Sequence, residues 1–209
     1  RRLGGGGEAG VGKSTLARGG AMIGPPSAGE LLLGGVDAVH AAPTERRKLR
    51  KTAQMVFQNP YGSLNPRKRI GAILEAPLEI NTTLDAAARS ERARAMLAKV
   101  GLRPEHYERY PHMFSGGQRQ RIGIARAIAL KPRILVADEA TSALDGSLRF
   151  QVLDLLMKLQ DELNLAYVFI SHDIGVIRYM CDRVAVMYRG RIVETGEAEQ
   201  VCDRPVHDY

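Results

Sequence analysis

Cysteine is scarce in this chain, with only Cys181 and Cys202 among 209 residues. Their separation fits neither a metal-binding nor a redox pair, so a disulfide-stapled or zinc-stabilised fold is excluded and free thiols in a reducing compartment are expected. Long apolar runs are also missing, since none approaches the ~18 residues that a membrane-spanning helix needs. The first residues, two arginines and a leucine followed by four glycines, lack the apolar core of a signal peptide. We therefore expect the chain neither to span nor to cross a membrane.

Positive charge and glycine are in excess. The chain has 30 Lys and Arg against 23 Asp and Glu, a net charge of +7. Short basic clusters occur at 46–51 and 67–69 without interleaved aromatic residues, which favours a solvated or membrane-proximal surface and no nucleic-acid partner. Glycine contributes 22 residues, about 11% of the chain against an average of ~7%. Much of that excess precedes residue 36.

The order of predicted elements indicates an α/β fold with a parallel sheet. The first 58 residues predict a glycine-rich loop, a helix and then strands. Turn-forming residues follow Asn59, and the stretch to about Lys131 is predicted to be all-helical. The predicted helices are Ile70–Ile80, Ala86–Val100 and Gln118–Leu130. The predicted strands are Glu30–Val36, Gln54–Phe57, Ile134–Ala137, Tyr167–Ile170, Val184–Tyr188 and Arg191–Glu194.

Two local patterns add detail to this prediction. A set of apolar residues at spacings of three and four predicts one face of an amphipathic helix. These residues are Leu148, Val152, Leu155, Leu156, Leu159 and Leu163. The pair Arg189-Gly190 lies between the last two predicted strands and predicts a hairpin turn.

A phosphate-binding loop is predicted near the start of the chain. The pattern G-x-x-x-x-G-K-[ST] is met at every fixed position. Its residues are Gly7, Glu8, Ala9, Gly10, Val11, Gly12, Lys13 and Ser14, and we assign them, with the following Thr15, to nucleotide binding. Glycines allow backbone N–H groups to surround phosphates at a helix N-terminus. In such loops the lysine contacts the β- and γ-phosphates and the serine hydroxyl binds Mg²⁺.

An acidic pair follows a buried strand far downstream. Ile134–Ala137 is wholly apolar and is followed by Asp138 and Glu139. At the carboxyl end of a parallel strand, Asp138 can reach a magnesium ion beside the phosphate loop. Glu139 is then placed to act as general base for the attacking water.

In the order of its motifs, the chain resembles the nucleotide-binding subunits of ABC transporters. Ser115-Gly116-Gly117-Gln118 matches their signature loop, with Phe114 in its first position, and in the family it binds the ATP held by the other subunit of a dimer. Gln58 matches the glutamine that approaches Mg²⁺ and water, and Asp145 of Ser142-Ala143-Leu144-Asp145 matches the aspartate that bridges the dimer. His172 of Ser171-His172-Asp173 matches the histidine that contacts the γ-phosphate. The resemblance thus implies catalytic roles for Glu139, His172 and Gln58, and magnesium ligation by Ser14, Gln58 and Asp138.

The segment Phe57–Arg67 looks like the peptide-importer branch of that family, which includes oligopeptide, dipeptide and glutathione systems. The resemblance implies a P-loop NTPase core from 1–58 and 133–209, with an inserted helical subdomain at 59–132, in a single domain over 1–209. It also implies ATP and Mg²⁺ as ligands, and ATP hydrolysis coupled to transport. The implied partners are an identical or related ATPase subunit, membrane permeases and, indirectly, an external solute-binding protein. The implied location is peripheral, at the cytoplasmic face of the inner membrane.

The chain departs from the family pattern in its first residues. Gly4–Gly7 occupy the position of a buried apolar strand, where glycine is unfavourable, and Gly19 and Gly20 lie inside the following helix. Both ends are short relative to the family, as expected of a fragment. These glycines predict weak ATP binding. A nickel or other small-solute importer remains an alternative, as does a degenerate, non-catalytic subunit of a heterodimer. A soluble ABC ATPase of DNA repair or translation is disfavoured, since coiled-coil insertions and tandem ATPase domains are absent from the sequence.

Overall fold

The computed structural model describes residues 2–7, 12–24, 26 and 28–208. The chain forms two compact units, which are described separately. The first consists of Arg1–Met55, Arg133–Glu139 and Leu165–Tyr209, and the second of Val56–Pro132 and Ala140–Asn164. The second unit therefore contains residues 59–132 and, in addition, a later segment of the chain. In the described part of the chain, no helix combines the length and the hydrophobicity needed to cross a membrane.

The strands form one six-stranded sheet and one two-stranded ladder. They are β1 (Arg2–Gly6), β2 (Leu32–Leu33), β3 (Val36–Asp37), β4 (Ala53–Val56), β5 (Ile134–Asp138), β6 (Ala166–Ile170), β7 (Arg183–Tyr188) and β8 (Arg191–Glu197). The large sheet has the order β4-β5-β6-β1-β7-β8. In it β1 runs parallel to β6 and β7, and β5 runs parallel to β6. The predicted α/β fold with a mainly parallel sheet is confirmed.

The strand position that the resemblance gives to Gly4–Gly7 is confirmed for residues 4–6, whereas the glycine-rich loop predicted at the start of the chain is wrong for residues 2–6. These residues form β1, a central strand whose neighbours on both sides supply main-chain hydrogen bonds. The sheet therefore compensates for the poor strand propensity of glycine. At Gly4 the packing also requires a small residue, because a Cβ there would lie 2.8 Å from Cys181 Sγ and 3.1 Å from Ile177 Cδ1.

The single strand predicted at Glu30–Val36 is also wrong. The segment is a short hairpin in which Leu33 pairs with Val36 across a two-residue turn. Gly34 and Gly35 have φ values of 61° and 84°. Two successive residues with positive φ match the turn that best joins twisted antiparallel strands.

The hairpin predicted at Arg189-Gly190 is confirmed. It joins β7 to β8, which run antiparallel. Arg189 and Gly190 both have positive φ, 46° and 79°. The turn therefore has the same left-handed character as the one between β2 and β3.

Eight α-helices are assigned within the described residues. Those of the first unit are α1 (Lys13–Gly20), α2 (Pro43–Thr52), α7 (Ile174–Met180) and α8 (Ala198–Asp203). Those of the second unit are α3 (Ile70–Asn81), α4 (Ala86–Lys99), α5 (Gly116–Ile128) and α6 (Gly146–Leu163). Of these, α2, α7 and α8 were not predicted as helices. In the first unit, one core cluster joins Ala17 and Ala21 of α1 to Val136 of β5 and Ile170 of β6.

The predicted helices of the second unit are confirmed with small shifts at their ends. The predicted apolar face of α6 is buried at Val152, Leu155, Leu156 and Leu159 and half-buried at its two ends. The segment predicted as all-helical also contains two 3₁₀ turns, Pro104–Glu108 and Pro111–Met113. Because each begins with a proline, the chain is pre-set for the tight first turn of a helix.

Candidate functional site

The predicted phosphate loop ends in a left-handed glycine at the start of a helix. Gly12 is the residue before α1 and has φ = 97°, a conformation that glycine adopts without steric cost. Its carbonyl accepts a hydrogen bond from the N–H of Leu16, the first bond of the helix. Four residues assigned to this loop, Glu8, Ala9, Gly10 and Val11, lie outside the described residues, and Thr15 is exposed on α1. The described part of the loop therefore leads directly into a helix N-terminus, where the dipole favours an anion.

The side chain of Lys13 lies inside the first unit. It is only 6% exposed, which is uncommon for lysine. Its ammonium group donates to the carbonyl of Gly7, at the other end of the predicted loop. A cation held between the two ends of a glycine-rich loop is an arrangement suited to a phosphate group.

Ser14 and Asp138 are 124 residues apart in sequence but in direct contact. The Ser14 hydroxyl donates to Oδ1 of Asp138 over 2.9 Å. Asp138 ends β5 and is 4% exposed. Burial raises the pKa of its carboxyl, an effect that the Ser14 hydrogen bond and the charges of Arg18 and Lys13 oppose. The structure thus joins the serine and the aspartate that the sequence assigns to one metal site.

Glu139 and His172 form a second contact at the same edge of the sheet. His172 Nδ1 lies 3.1 Å from Oε1 of Glu139. Glu139 has φ = 46°, uncommon for a residue other than glycine, and its N–H donates to the carbonyl of Ile170 over 2.9 Å. Strained backbone of this kind costs of order 1 kcal/mol and clusters at functional sites. The side chain of His172 is 55% exposed and that of Glu139 only 13%, so the carboxylate is the more sheltered partner.

The residues on either side of His172 fix the backbone around it, a role that the sequence did not predict. The N–H of Ser171 donates to the carbonyl of Gly5, and Ser171 Oγ accepts from the N–H of Asp173. Asp173 in turn caps α7 by accepting from the N–H of Val176. An aspartate three residues before an apolar helical position is the sequence signal that identifies this cap.

A cavity of about 740 Å³ adjoins this pair of side chains. Its lining includes Gly6, Glu139 and His172, and also apolar side chains of β7 such as Val184 and Val186. A Cβ built at Gly6 would meet nothing within 4 Å. The absence of a side chain at Gly6 therefore contributes to the open space beside the candidate base.

The predicted signature residues lie in the second unit, at the N-terminus of α5. Ser115 precedes the helix, and its Oγ accepts from the N–H of Gln118 over 3.3 Å. Gln118 Oε1 accepts in return from the N–H of Ser115 over 3.1 Å. This reciprocal pair is a capping box, which explains why α5 begins at Gly116 instead of the predicted Gln118. Gly117 is buried, with the side chain of Leu148 3.7 Å from the position of a Cβ.

Two more predicted site residues also belong to the second unit. Gln58 is exposed in the segment that follows β4. Asp145 precedes α6, where its carbonyl accepts from the N–H of Arg149 over 2.8 Å while its side chain makes no capping bond. The structure therefore brings together Lys13 with Gly7, Ser14 with Asp138, and Glu139 with His172, all within the first unit.

The buried carboxyl of Asp138 predicts a gain in stability on neutralisation. Because burial raises the pKa of Asp138 in the folded chain, the protonated carboxyl stabilises the fold at pH values below its usual pKa of 3.8. This contribution is lost as the pH rises through the raised pKa of the folded chain. Asp138→Asn should therefore raise the free energy of unfolding at pH 7 by about 1 kcal/mol, a usual size for one site, and by less as pH falls toward 4. Denaturant unfolding at both pH values measures this, with the exposed Asp161→Asn as control. A less stable Asp138→Asn variant at pH 7 would contradict the argument.

Comparison with known proteins identifies the family. A sequence profile of the family described as ABC transporter matches residues 3–142. The chain is 57% identical over 203 residues to the dipeptide transport ATP-binding protein DppF of Escherichia coli, covering 97% of this chain and 61% of that protein. It is 47% identical over 204 residues to the oligopeptide transport ATP-binding protein AppF of Bacillus subtilis, covering 97% and 62%. The chain thus spans less than two thirds of the length of these relatives.

Two solved structures have folds similar to that of this chain. A dimeric post-hydrolysis state of the ATP-binding cassette MJ0796 bound to ADP and Pi has a TM-score of 0.81 at 29% identity, covering 94% of this chain and 84% of that one. CbiO1 from Clostridium perfringens, part of the transporter complex cbiONQ, has a TM-score of 0.85 at 28% identity, covering 97% and 79%. The expected P-loop NTPase fold of the ABC ATPase type is thereby confirmed. Because the family profile matches more than half of its residues, the chain belongs to the ABC transporter family.

Proposed function

We propose that this chain binds MgATP and hydrolyses it as the energising subunit of a peptide importer. The observation that carries the proposal is the contact of 2.9 Å between Ser14 and Asp138, next to the buried ammonium of Lys13. A lysine, a hydroxyl and a carboxylate at the end of a glycine-rich loop are the groups that position a triphosphate and its metal. The relatives named as transport ATP-binding proteins support the same activity.

The residues present fit a magnesium ion. Ser14 Oγ and Asp138 Oδ1 are both oxygen atoms, the ligand type that Mg²⁺ prefers. When bound, the ion would neutralise charge on the β- and γ-phosphates during transfer. Gln58 is the third proposed ligand, on the resemblance alone.

The remaining chemistry is assigned to residues of the first unit. Lys13 balances the charge of the β- and γ-phosphates, and Glu139 accepts a proton from the attacking water. His172 holds the Glu139 carboxylate through the 3.1 Å contact, which orients it for that transfer. Since Glu139 is largely sheltered from solvent, its charge acts at short range where screening is weak.

The active assembly that we propose is a dimer. Ser115, Gly116, Gly117 and Gln118 of one subunit would bind the γ-phosphate held by its partner, and Asp145 would lie at the same interface. Support comes from the capped helix N-terminus, which offers N–H groups to an anion, and from the dimeric form of a similar cassette. We also propose permease subunits as partners and a peripheral position at the cytoplasmic face of the membrane, and the name of a relative as a transport ATP-binding protein supports both.

Peptides are the proposed solute because the relatives named above are a dipeptide and an oligopeptide transport ATP-binding protein. Nickel or another small solute is the alternative within the same class of importer. A degenerate, non-catalytic subunit is disfavoured because Glu139 and His172 are both present and in contact. Single-turnover hydrolysis by the chain separates the catalytic from the degenerate subunit, since the latter would bind ATP without cleaving it.

Removal of the buried ammonium tests the nucleotide site. We expect Lys13→Ala to raise the Kd for ATP by about 10- to 100-fold, the equivalent of one charge-assisted hydrogen bond. Because β1 is rich in glycine, we also expect the wild-type chain to bind ATP weakly, with a Kd above the nanomolar to low-micromolar range. Calorimetric titration measures both, with the exposed Lys68→Ala as a matched control and a thermal melt to verify folding. Equal affinity of the Lys13→Ala and wild-type chains would refute the assignment.

A further inference from the structure

We propose that Arg119 is a positioning residue that fixes the signature loop against the segment that carries Gln58. This inference rests on the proposed function and concerns residues of the second unit only. We name residues 57–63 the Gln58 segment and residues 112–115 the signature turn. The contacts that connect them all come from α5.

Three side chains of α5 reach the Gln58 segment. Gln120, which is 2% exposed, donates from Nε2 to the carbonyl of Phe57 over 3.4 Å. Arg126 donates from Nη1 to the carbonyl of Ser63 over 2.6 Å. The guanidinium carbon of Arg119 lies 4.2 Å from the ring centroid of Tyr61. The helix therefore holds this segment at its start, middle and end.

The Gln58 segment is itself internally bonded. Oδ1 of Asn59 accepts from the N–H groups of Tyr61 and Gly62 over 2.8 and 3.1 Å. The N–H of Ser63 donates to the carbonyl of Asn59 over 3.1 Å. A side chain that accepts from the backbone two residues later forms a compact turn. The turn therefore joins the backbone of Tyr61 to Asn59, the residue next to Gln58.

The other edge of the Arg119 guanidinium holds the signature turn. Nε donates to the carbonyl of Phe114 over 3.0 Å, and Nη2 donates to the carbonyl of His112 over 3.4 Å. Phe114 is 5% exposed and directly precedes Ser115. One planar cation thus connects the turn before Ser115 to the ring of Tyr61. Gly116 also lies close, since a Cβ there would be 3.5 Å from the Tyr61 hydroxyl.

This arrangement requires a guanidinium group. Its flat face stacks on an aromatic ring while its edge donates in fixed directions, and the ammonium of lysine does neither. The partners of Arg119 all belong to the second unit, whereas the proposed triphosphate ligands Lys13 and Ser14 belong to the first. Its effect is therefore on the orientation of Ser115 and Gln58, which the proposed function places at the γ-phosphate of the partner and at the metal in the assembled dimer. Because Lys13, Ser14 and the loop backbone of the first unit are the proposed source of ATP affinity, we expect the loss to fall on turnover.

The test compares Arg119→Ala with Arg94→Ala. Arg94 is a matched control in the same unit, because it stacks on Tyr107 at 4.0 Å, donates to the Pro104 carbonyl and lies 3.6 Å from Glu108 Oε1. None of these partners belongs to the Gln58 segment or the signature turn. We expect Arg119→Ala to lower kcat for ATP hydrolysis by about tenfold with the Kd for ATP within twofold of wild type, a split that indicates lost positioning. Arg119→Lys should not restore kcat, and Arg94→Ala should leave it unchanged. An Arg119→Ala kcat within twofold of wild type, or an equal fall in Arg94→Ala, overturns the proposal.

A spectroscopic measurement tests the link without nucleotide. The chain contains no tryptophan, so Tyr61→Trp supplies a single reporter that keeps an aromatic ring under Arg119. We expect acrylamide to quench this tryptophan more strongly when Arg119→Ala is added, and no more strongly when Arg94→Ala is added. Equal quenching in both backgrounds overturns the link. If the wild-type chain does not hydrolyse ATP, the proposed function fails, and the quenching comparison still decides whether Arg119 holds the segment.

Discussion

Glu139→Gln should lower kcat for ATP hydrolysis by about 100- to 1000-fold, within the range attributed to one general base. Glutamine has nearly the same shape and can still bond His172, so the geometry of the pair at 3.1 Å should be kept. What is lost is the capacity to accept a proton from water. ATP affinity should stay near that of the wild type, because the phosphates are assigned to Lys13, Ser14 and the backbone of the loop.

The same variant should accumulate an ATP-bound dimer. In the proposed cycle, hydrolysis removes the γ-phosphate that joins one subunit to the signature loop of the other, and the dimer then opens. Size-exclusion chromatography with and without MgATP, together with phosphate-release kinetics, measures both effects. Glu199→Gln, an exposed acid on α8, is the control that removes an equal charge. Hydrolysis at the wild-type rate by Glu139→Gln would show that another group is the base.

Gly4→Ala should lower the free energy of unfolding by about 2 kcal/mol, the usual cost of overpacking a core. An added Cβ would lie 2.8 Å from Cys181 Sγ, 3.1 Å from Ile177 Cδ1 and 3.2 Å from Cys181 Cβ. These atoms belong to α7 and to the residue after it, and Gly4 is in a strand bonded on both sides. Cys181 and Ile177 are both buried, so their side chains have little room to move away from an added Cβ.

The chain offers a matched control for this change in the same strand. A Cβ at Gly6 would meet nothing within 4 Å, so Gly6→Ala should raise stability by about 0.5 kcal/mol through the loss of unfolded-state entropy. Cys181→Ala should partly rescue Gly4→Ala, and denaturant unfolding of the wild type, the two single variants and the double variant forms a double-mutant cycle. Additive effects of Gly4→Ala and Cys181→Ala would contradict the packing argument.

The glycines of β1 therefore have two different explanations. Gly4 is required by its close contact with α7, whereas Gly6 leaves open the cavity beside Glu139. Gly19 and Gly20, in the last turn of α1, likewise meet nothing within 4 Å. The structure gives no packing reason for these two.

The sequence by itself determined the elements whose patterns are local. The apolar run Ile134–Ala137, the periodic face of α6 and the Arg189-Gly190 turn each predicted the structure found, because strand burial, helical periodicity and turn chemistry depend on adjacent residues. The sequence also assigned the candidate chemistry. Gly12, Lys13 and Ser14 were assigned from their spacing, Glu139 from its position after a buried strand, and His172 from the order of motifs that resembles the family.

Only the tertiary structure decided which of these residues meet and how the weak segments fold. The contact between Ser14 and Asp138 depends on the order of parallel strands, which a single sequence does not state. Gly4 and Gly5 look like a loop from propensity, yet they form a strand because hydrogen bonds from two neighbouring strands outweigh the entropy that glycine loses. The contact of Arg119 with Tyr61 depends on packing between segments about 60 residues apart, for which a local pattern carries no signal.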